Sequence, residues 1–314
     1  MRKKMVQYKD LKFKALYFVE GKATFRGCKY RPDGTVFVVK EGSVLEDVDI
    51  PRGLGGVLLL QPSKPEALIE KYDLQTIQDV ERLVIDFAET HRNMFFYTAK
   101  KVVVEEKRRN YVMSCKGYPD RTATIFINKK YEKALISALQ NLRNKARLTK
   151  GDEEMLSTLW HEFIHLRTVN LYSANLRRRF SRPARKLMET LTEFIARHTY
   201  DRFLDMLRPG TMPNYQKEII EAGMGYQLFI ARFRYVLQKF KINEKEVAKE
   251  IEDVLIEGVQ HNIVKRLTKW LGTKVNLSKN LIELILDDIV NLKTSDQEFQ
   301  KRVGWYYEAK GHQE

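Results

Sequence analysis

The chain has 314 residues, 43% of them hydrophobic and 31% charged, with a formal net charge of +15. Such a length and balance describe a globular chain able to bury a large core, and they exclude a disordered or low-complexity polymer. No apolar run approaches the roughly 20 residues of a membrane-spanning helix. The basic start MRKKMVQYKDLKFKAL has no apolar stretch behind it to make a secretory signal. Cys28 and Cys115 are too few for a disulfide framework or a cysteine-based zinc site. A reducing, cytoplasmic setting is the expectation, with His and carboxylates left as metal ligands. The positive charge favours anionic partners, either nucleic acid or acidic protein segments, although simple solubility accounts for it equally well.

Residues 1–62 read as a β-rich segment. FKALYFVEG, KATFRGCKY and TVFVVKEG are short runs of β-branched and aromatic residues. Glu20-Gly21, Arg31-Pro32-Asp33-Gly34 and Glu41-Gly42 separate them as turn signals. From Ser63 the pattern changes. Ser63-Lys64-Pro65-Glu66 reads as a helix start, and Ile77, Val80, Leu83, Val84 and Phe87 then recur at helical spacing. KKVVVEE is a predicted strand, followed by KRRNYVMSCKG, a turn at Tyr118-Pro119-Asp120 and the alternating run RTATIFINKK. Residues 130–146 are predicted helical. Residues 63–210 therefore read as a mixed core, and 211–314 as a helical subdomain. In the latter, Leu, Ile and Val fall at bundle spacing, and Gly223 and Gly225 mark a kink or a break between two helices. The fold class expected is α+β and predominantly helical.

The chemistry is concentrated in TKGDEEMLSTLWHEFIHLRTVN, residues 149–170. Thr149 with Asp152 or Glu153 makes a capping start, and Met155 to Val169 contains no Gly or Pro. At about 100° per residue, His161 and His165 lie roughly 40° apart on one helical face. Leu156, Leu159, Trp160, Phe163 and Leu166 cover most of the other side. Two imidazoles one turn apart can hold a single Zn²⁺. Glu162, beside His161, can reach a water on that ion and take its proton.

Downstream, NLYSANLRRRFSRPARK is a polar, strongly basic stretch that reads as a solvated linker or as an electropositive rim to the cleft. The following helix, LMETLTEFIARHTYDRFLDML, ends at Pro209-Gly210 and carries Glu189 and Glu193 one turn apart. A site with two His ligands needs a third protein ligand and one open position, and the residues alone leave both acids eligible.

His161-Glu162-Phe163-Ile164-His165 resembles the H-E-x-x-H motif of the zincin metallopeptidases, and the helix–strands–helix–motif order over roughly residues 70–205 is similar to their minimal core. Met188 to Phe194, METLTEF, looks like the downstream phrase of the gluzincin type, with Thr190 where the usual Gly stands and a longer spacing from the motif. By that match Glu189 is the third ligand. Glu193-x-x-Ala196 resembles the third-ligand phrase of some other zincins, which makes Glu193 the rival. The carboxylate that does not ligate would orient an imidazole from behind. The resemblance implies a zinc peptidase in which His161, His165 and Glu189 hold the metal, Glu162 is the general base, and a peptide or protein is the substrate. It also implies an edge strand over the motif helix that offers its backbone to substrate. Thr122–Asn128 is the candidate for that strand, and an ordinary buried strand fits the same residues equally well. Tyr172, His198, Tyr215, Tyr226 and His261 are each able to donate to an oxyanion, and nothing in the sequence chooses among them. The alternative expectation is a nucleic-acid-associated or structural protein whose zincin-like fold serves binding. No zinc finger, helix-turn-helix or RNA-recognition signature sharpens it.

Overall fold

The computed structural model describes residues 28–30, 36–40, 43–44, 67–106, 111–168, 182–256 and 262–310. The chain divides into two compact units, Met1–Glu66 and Ala67–Glu314. The first contains a three-stranded antiparallel sheet of β1 (Cys28–Tyr30), β2 (Val36–Lys40) and β3 (Ser43–Val44). Cys28 pairs with Val38, and Val39 with Val44. These strands are the described part of the segment read as β-rich; its remainder, including the turn at Pro32-Asp33-Gly34, and the helix start at Ser63 lie outside the described residues.

Among its described residues the second unit is mostly helical, with one small sheet. A short 3₁₀ turn at Leu68–Lys71 leads to α1 (Ile77–Thr90). Thr76 and Asp79 close a reciprocal capping box at its start, which satisfies two orphan backbone donors. Strands β4 (Thr98–Glu105), β5 (Met113–Gly117) and β6 (Thr122–Asn128) form a sheet in the order β4-β6-β5. β6 runs parallel to β4 and antiparallel to β5. The edge reading of Thr122–Asn128 is therefore corrected. That strand is central and bonded on both sides, and β5 is an edge among the described residues. Strand order depends on long-range pairing, which alternation within one strand does not encode.

Asn128 caps α2 (Lys129–Arg143), and the motif helix α3 (Lys150–His165) follows. Thr149 and Asp152 form its capping box, and Asn141 Nδ2 donates to the same aspartate at 3.1 Å. Glu153, the other expected cap, instead accepts the backbone N–H groups of Asn214 at 2.6 Å and Tyr215 at 3.1 Å. α3 is buried over most of its circumference rather than on one face, because α2, β5 and the next helix all pack on it. Its far end is pinned just ahead of β4, where the Leu166 carbonyl accepts from the N–H groups of Phe96 and Tyr97 at 3.0 and 2.9 Å.

The next helix, α4 (Arg182–His198), begins five residues before the predicted Leu187, so the end of the supposed basic linker is helical. Residues 169–181, with Arg177, Arg178 and Arg179, lie outside the described residues. α5 (Tyr200–Leu207) is separated from α4 at Thr199, where one continuous helix was predicted. The remainder is α6 (Gln216–Ala222), α7 (Gln227–Lys239), α8 (Glu244–Ile256), α9 (Ile263–Val275), α10 (Lys279–Val290) and α11 (Asp296–Lys310). Gly223 to Tyr226 separate α6 from α7, the break that the two glycines signalled. Around the motif helix the core is aromatic. Trp160 stacks on Phe203 at 5.0 Å, Phe163 meets Phe87 at 4.6 Å, and Trp160 Nε1 donates to Thr199 Oγ1 at 2.8 Å. Close aromatic pairs of this kind add about 0.5–1.5 kcal/mol each beyond simple burial. Among the described residues, no helix is long and apolar enough to cross a membrane.

Candidate metal centre

α3 and α4 pack against each other and turn three side chains to one point. His165 Nε2 lies 3.0 Å from His161 Nε2 and 3.0 Å from Glu189 Oε2, and His161 Nε2 lies 3.4 Å from the same oxygen. Both imidazoles are 5% exposed. An ion bonded to nitrogen and oxygen at about 2.0–2.1 Å in tetrahedral geometry holds its ligands about 3.3–3.4 Å apart. The measured triangle of donor atoms fits after opening by a few tenths of an ångström on two edges. His161, His165 and Glu189 could thus hold a metal ion.

Glu193, one turn along α4, does not join this triangle. Its Oε2 lies 2.8 Å from His161 Nδ1. A carboxylate there takes the Nδ1–H, which leaves the lone pair of the neutral ring on Nε2, facing the cluster. This is the arrangement a metal-ligating histidine needs. The other oxygen, Glu193 Oε1, accepts from Arg197 Nε at 2.8 Å. His165 Nδ1 is buried and has no hydrogen-bond partner among the described residues.

The charges follow from this crowding. Burial opposes ionisation of Glu189, but the two imidazoles more than offset it and hold its carboxyl far below the usual range. Burial likewise opposes ionisation of Glu193, and the His161 and Arg197 contacts again bring it down. For His161, burial works against the charged ring, and the bonds to Glu189 and Glu193 outweigh it, so the net shift is upward. Glu162 differs. Burial raises its carboxyl, its Oε2 has no hydrogen-bond partner among the described residues, and the Cys115 thiol on β5 lies within bonding reach. That thiol is itself pushed up by burial and by the Glu162 and Glu189 charges.

Of the five donor candidates, the structure brings Tyr226 to the centre. Its ring lies parallel to that of His161, at 4° and 6.1 Å between centroids, and Glu189 is among the carboxylates that act on its hydroxyl. Burial, followed by the surrounding carboxylates, pushes the phenol well above its ordinary value, so it stays a donor. His198 is engaged elsewhere, 2.8 Å from the Phe194 carbonyl and 2.9 Å from Glu244. Tyr215 sits at the start of α6, where its N–H bonds Glu153. Tyr172 and His261 lie outside the described residues. Sequence reasoning missed Cys115 and Arg197. The four-residue spacing of Glu193 and Arg197 was the available signal for the second, and nothing local pointed to the first.

Comparison with protein-family models, curated proteins and solved structures finds no match to this chain. The functional reading therefore rests on the geometry above.

Proposed function

We propose that the chain is a zinc-dependent peptidase of the gluzincin type, with a zincin-like core in residues 63–210. The observation that carries this is the convergence of His161 Nε2, His165 Nε2 and Glu189 Oε2, with His161 Nδ1 tied from behind to Glu193. Two nitrogens and one carboxylate oxygen suit zinc, and they leave a fourth position for chemistry. When bound there, zinc supplies Lewis acidity, polarising a carbonyl and lowering the pKa of a water to about 7.

The chain's own residues do the rest. Glu162 is the general base. A carboxylate whose pKa is raised by burial is a stronger base than an ordinary one, so it can take the proton from water and then pass it to the more basic leaving amine. Tyr226, kept protonated, donates its O–H to the oxyanion of the tetrahedral intermediate. β5 supports the reading as an antiparallel edge strand packed on the motif helix, with Cys115 beside Glu162. An extended peptide laid along it would gain backbone hydrogen bonds and pass over the base.

The test is metal analysis of the purified chain beside a peptide-cleavage assay. Glu162→Gln should retain zinc and lose about 10²–10⁴-fold in hydrolysis. His161→Ala should lose both. A chain that takes up no zinc, or one that cleaves as well with Gln at position 162, overturns the assignment.

A further inference from the structure

We propose that Arg197 is a positioning residue that sets the place of Tyr226 over the centre. The inference rests on the peptidase reading of that site.

Arg197 is 0% exposed, and its guanidinium is spent on four acceptors. Nε donates to Glu193 Oε1 at 2.8 Å. Nη1 donates to the Ile220 carbonyl at 3.3 Å, and Nη2 to the carbonyls of Gly223 at 2.9 Å and Gly225 at 2.6 Å. Glu193 in turn holds His161. One unbroken path of hydrogen bonds therefore runs from a candidate metal ligand, through a carboxylate and a guanidinium, to the backbone of the turn between α6 and α7. The next residue of that turn is Tyr226, and its backbone is left-handed, with φ 55°. A tyrosine does not adopt that conformation for its own sake, so the surrounding structure must impose it. The two glycine carbonyls gripped by Arg197 are the fixed points just before it.

The fit is close. A Cβ on Gly223 would stand 2.8 Å from Arg197 Nε and 3.0 Å from the Ile219 carbonyl oxygen. Gly225 packs its Cα face on the Glu193 carboxylate, where a Cβ would lie 3.6 Å from Oε2. A planar fork of N–H donors can serve a carboxylate and several carbonyls together, whereas a lysine ammonium on a flexible stem cannot. A buried ion pair is in general a poor stabiliser compared with apolar packing, so a guanidinium spent in this way points to placement of the turn.

The experiment uses the full chain carrying Arg197→Lys, Tyr226→Phe or both, with zinc content, kcat and KM measured on a mixed fluorogenic peptide set. Arg197→Lys is expected to keep its zinc and lose up to about 100-fold in kcat, as small misplacements of a catalytic group do, with KM nearly unchanged. In the Tyr226→Phe background the same change should add less than about twofold, because both variants remove one interaction. Equal losses in the two backgrounds overturn the proposal, and so does a loss confined to KM or explained by missing zinc. Amide hydrogen exchange of the zinc-loaded chains supplies a second readout. Residues 223–228 should exchange about tenfold faster in Arg197→Lys, with α3 unchanged, as expected when one local unit loosens. Unchanged exchange there overturns the clamp. Should Arg197→Lys fail to fold, Gly223→Ala pushes the same turn off the guanidinium, and the same kcat loss and faster exchange are expected of it. A wild-type chain that binds zinc but cleaves no peptide sinks the peptidase reading alone, and hydrogen exchange still decides the clamp.

Discussion

Glu189 and Glu193 sit one helical turn apart and do different work. Glu189 Oε2 meets both imidazole Nε2 atoms, whereas Glu193 lies behind His161 and shares itself between Nδ1 and Arg197. Removing Glu193 therefore has two separable effects. Loss of the partner behind a ligating histidine weakens metal binding by about 10–100-fold. Loss of the counter-charge leaves Arg197 buried and unpaired, which costs about 3–5 kcal/mol. Glu193→Ala should show both in a zinc competition titration and in urea unfolding. Glu193→Gln, which keeps an acceptor for Nδ1, should recover much of the affinity. An alanine variant with unaltered zinc affinity would mean that the Nδ1 contact does not tune the ligand. At this scale the pair His161 and His165 is legible in the sequence, because a four-residue spacing on a helix leaves no choice of face. The choice of Glu189 over Glu193 came only from the resemblance of METLTEF to a family phrase; helix geometry alone does not make it. Both acids share a face of α4, and which of them meets the imidazoles depends on how α4 crosses α3.

Elements are joined by a second, smaller charge cluster. Glu244 at the start of α8 lies 2.9 Å from His198 Nε2 at the end of α4 and 2.7 Å from Arg234 Nε on α7. Burial alone would raise the Glu244 carboxyl, and the contacts from His198 and Arg234 outweigh it, so the net shift is downward. The folded chain thus binds that proton less tightly than the unfolded chain does. The stabilisation is fully present above the ordinary carboxylate range and disappears as pH falls through the depressed value. Glu244→Gln should cost about 1 kcal/mol near neutrality, a figure kept small because the group is partly open to solvent. The difference from wild type should vanish in acid. Urea unfolding of the two chains across that range checks it, and a constant difference would show that the charge is not responsible. The helix start at Thr149 was legible because a capping box is local. The break at Thr199, the early start of α4 at Arg182 and the central place of β6 were not, since each depends on distant packing partners.

On the scale of the whole second unit, α4 is the shared element. It packs on α3 along one side and on α6, α7, α8, α9 and α10 along others, so the sheet-bearing part and the helical part of residues 67–314 meet through it. A predominantly helical α+β unit was legible in the periodicity, but this central role was not, because the sequence of α4 reads as one amphipathic helix among many. An ion held by His161 and His165 from α3 and Glu189 from α4 would tie those parts together. Free zinc at a hundred times its dissociation constant would then stabilise the fold by about 2.7 kcal/mol, provided that the unfolded chain does not compete for it. For a unit of this size that is an upward shift of about 5–10 °C in Tm. Scanning calorimetry with chelator and then with added zinc should show the shift on a single cooperative transition, and Glu189→Ala should abolish it. A rise that survives in Glu189→Ala places the ion elsewhere. A second transition, indifferent to zinc, would show that residues 211–314 unfold independently and that α4 does not couple the two parts.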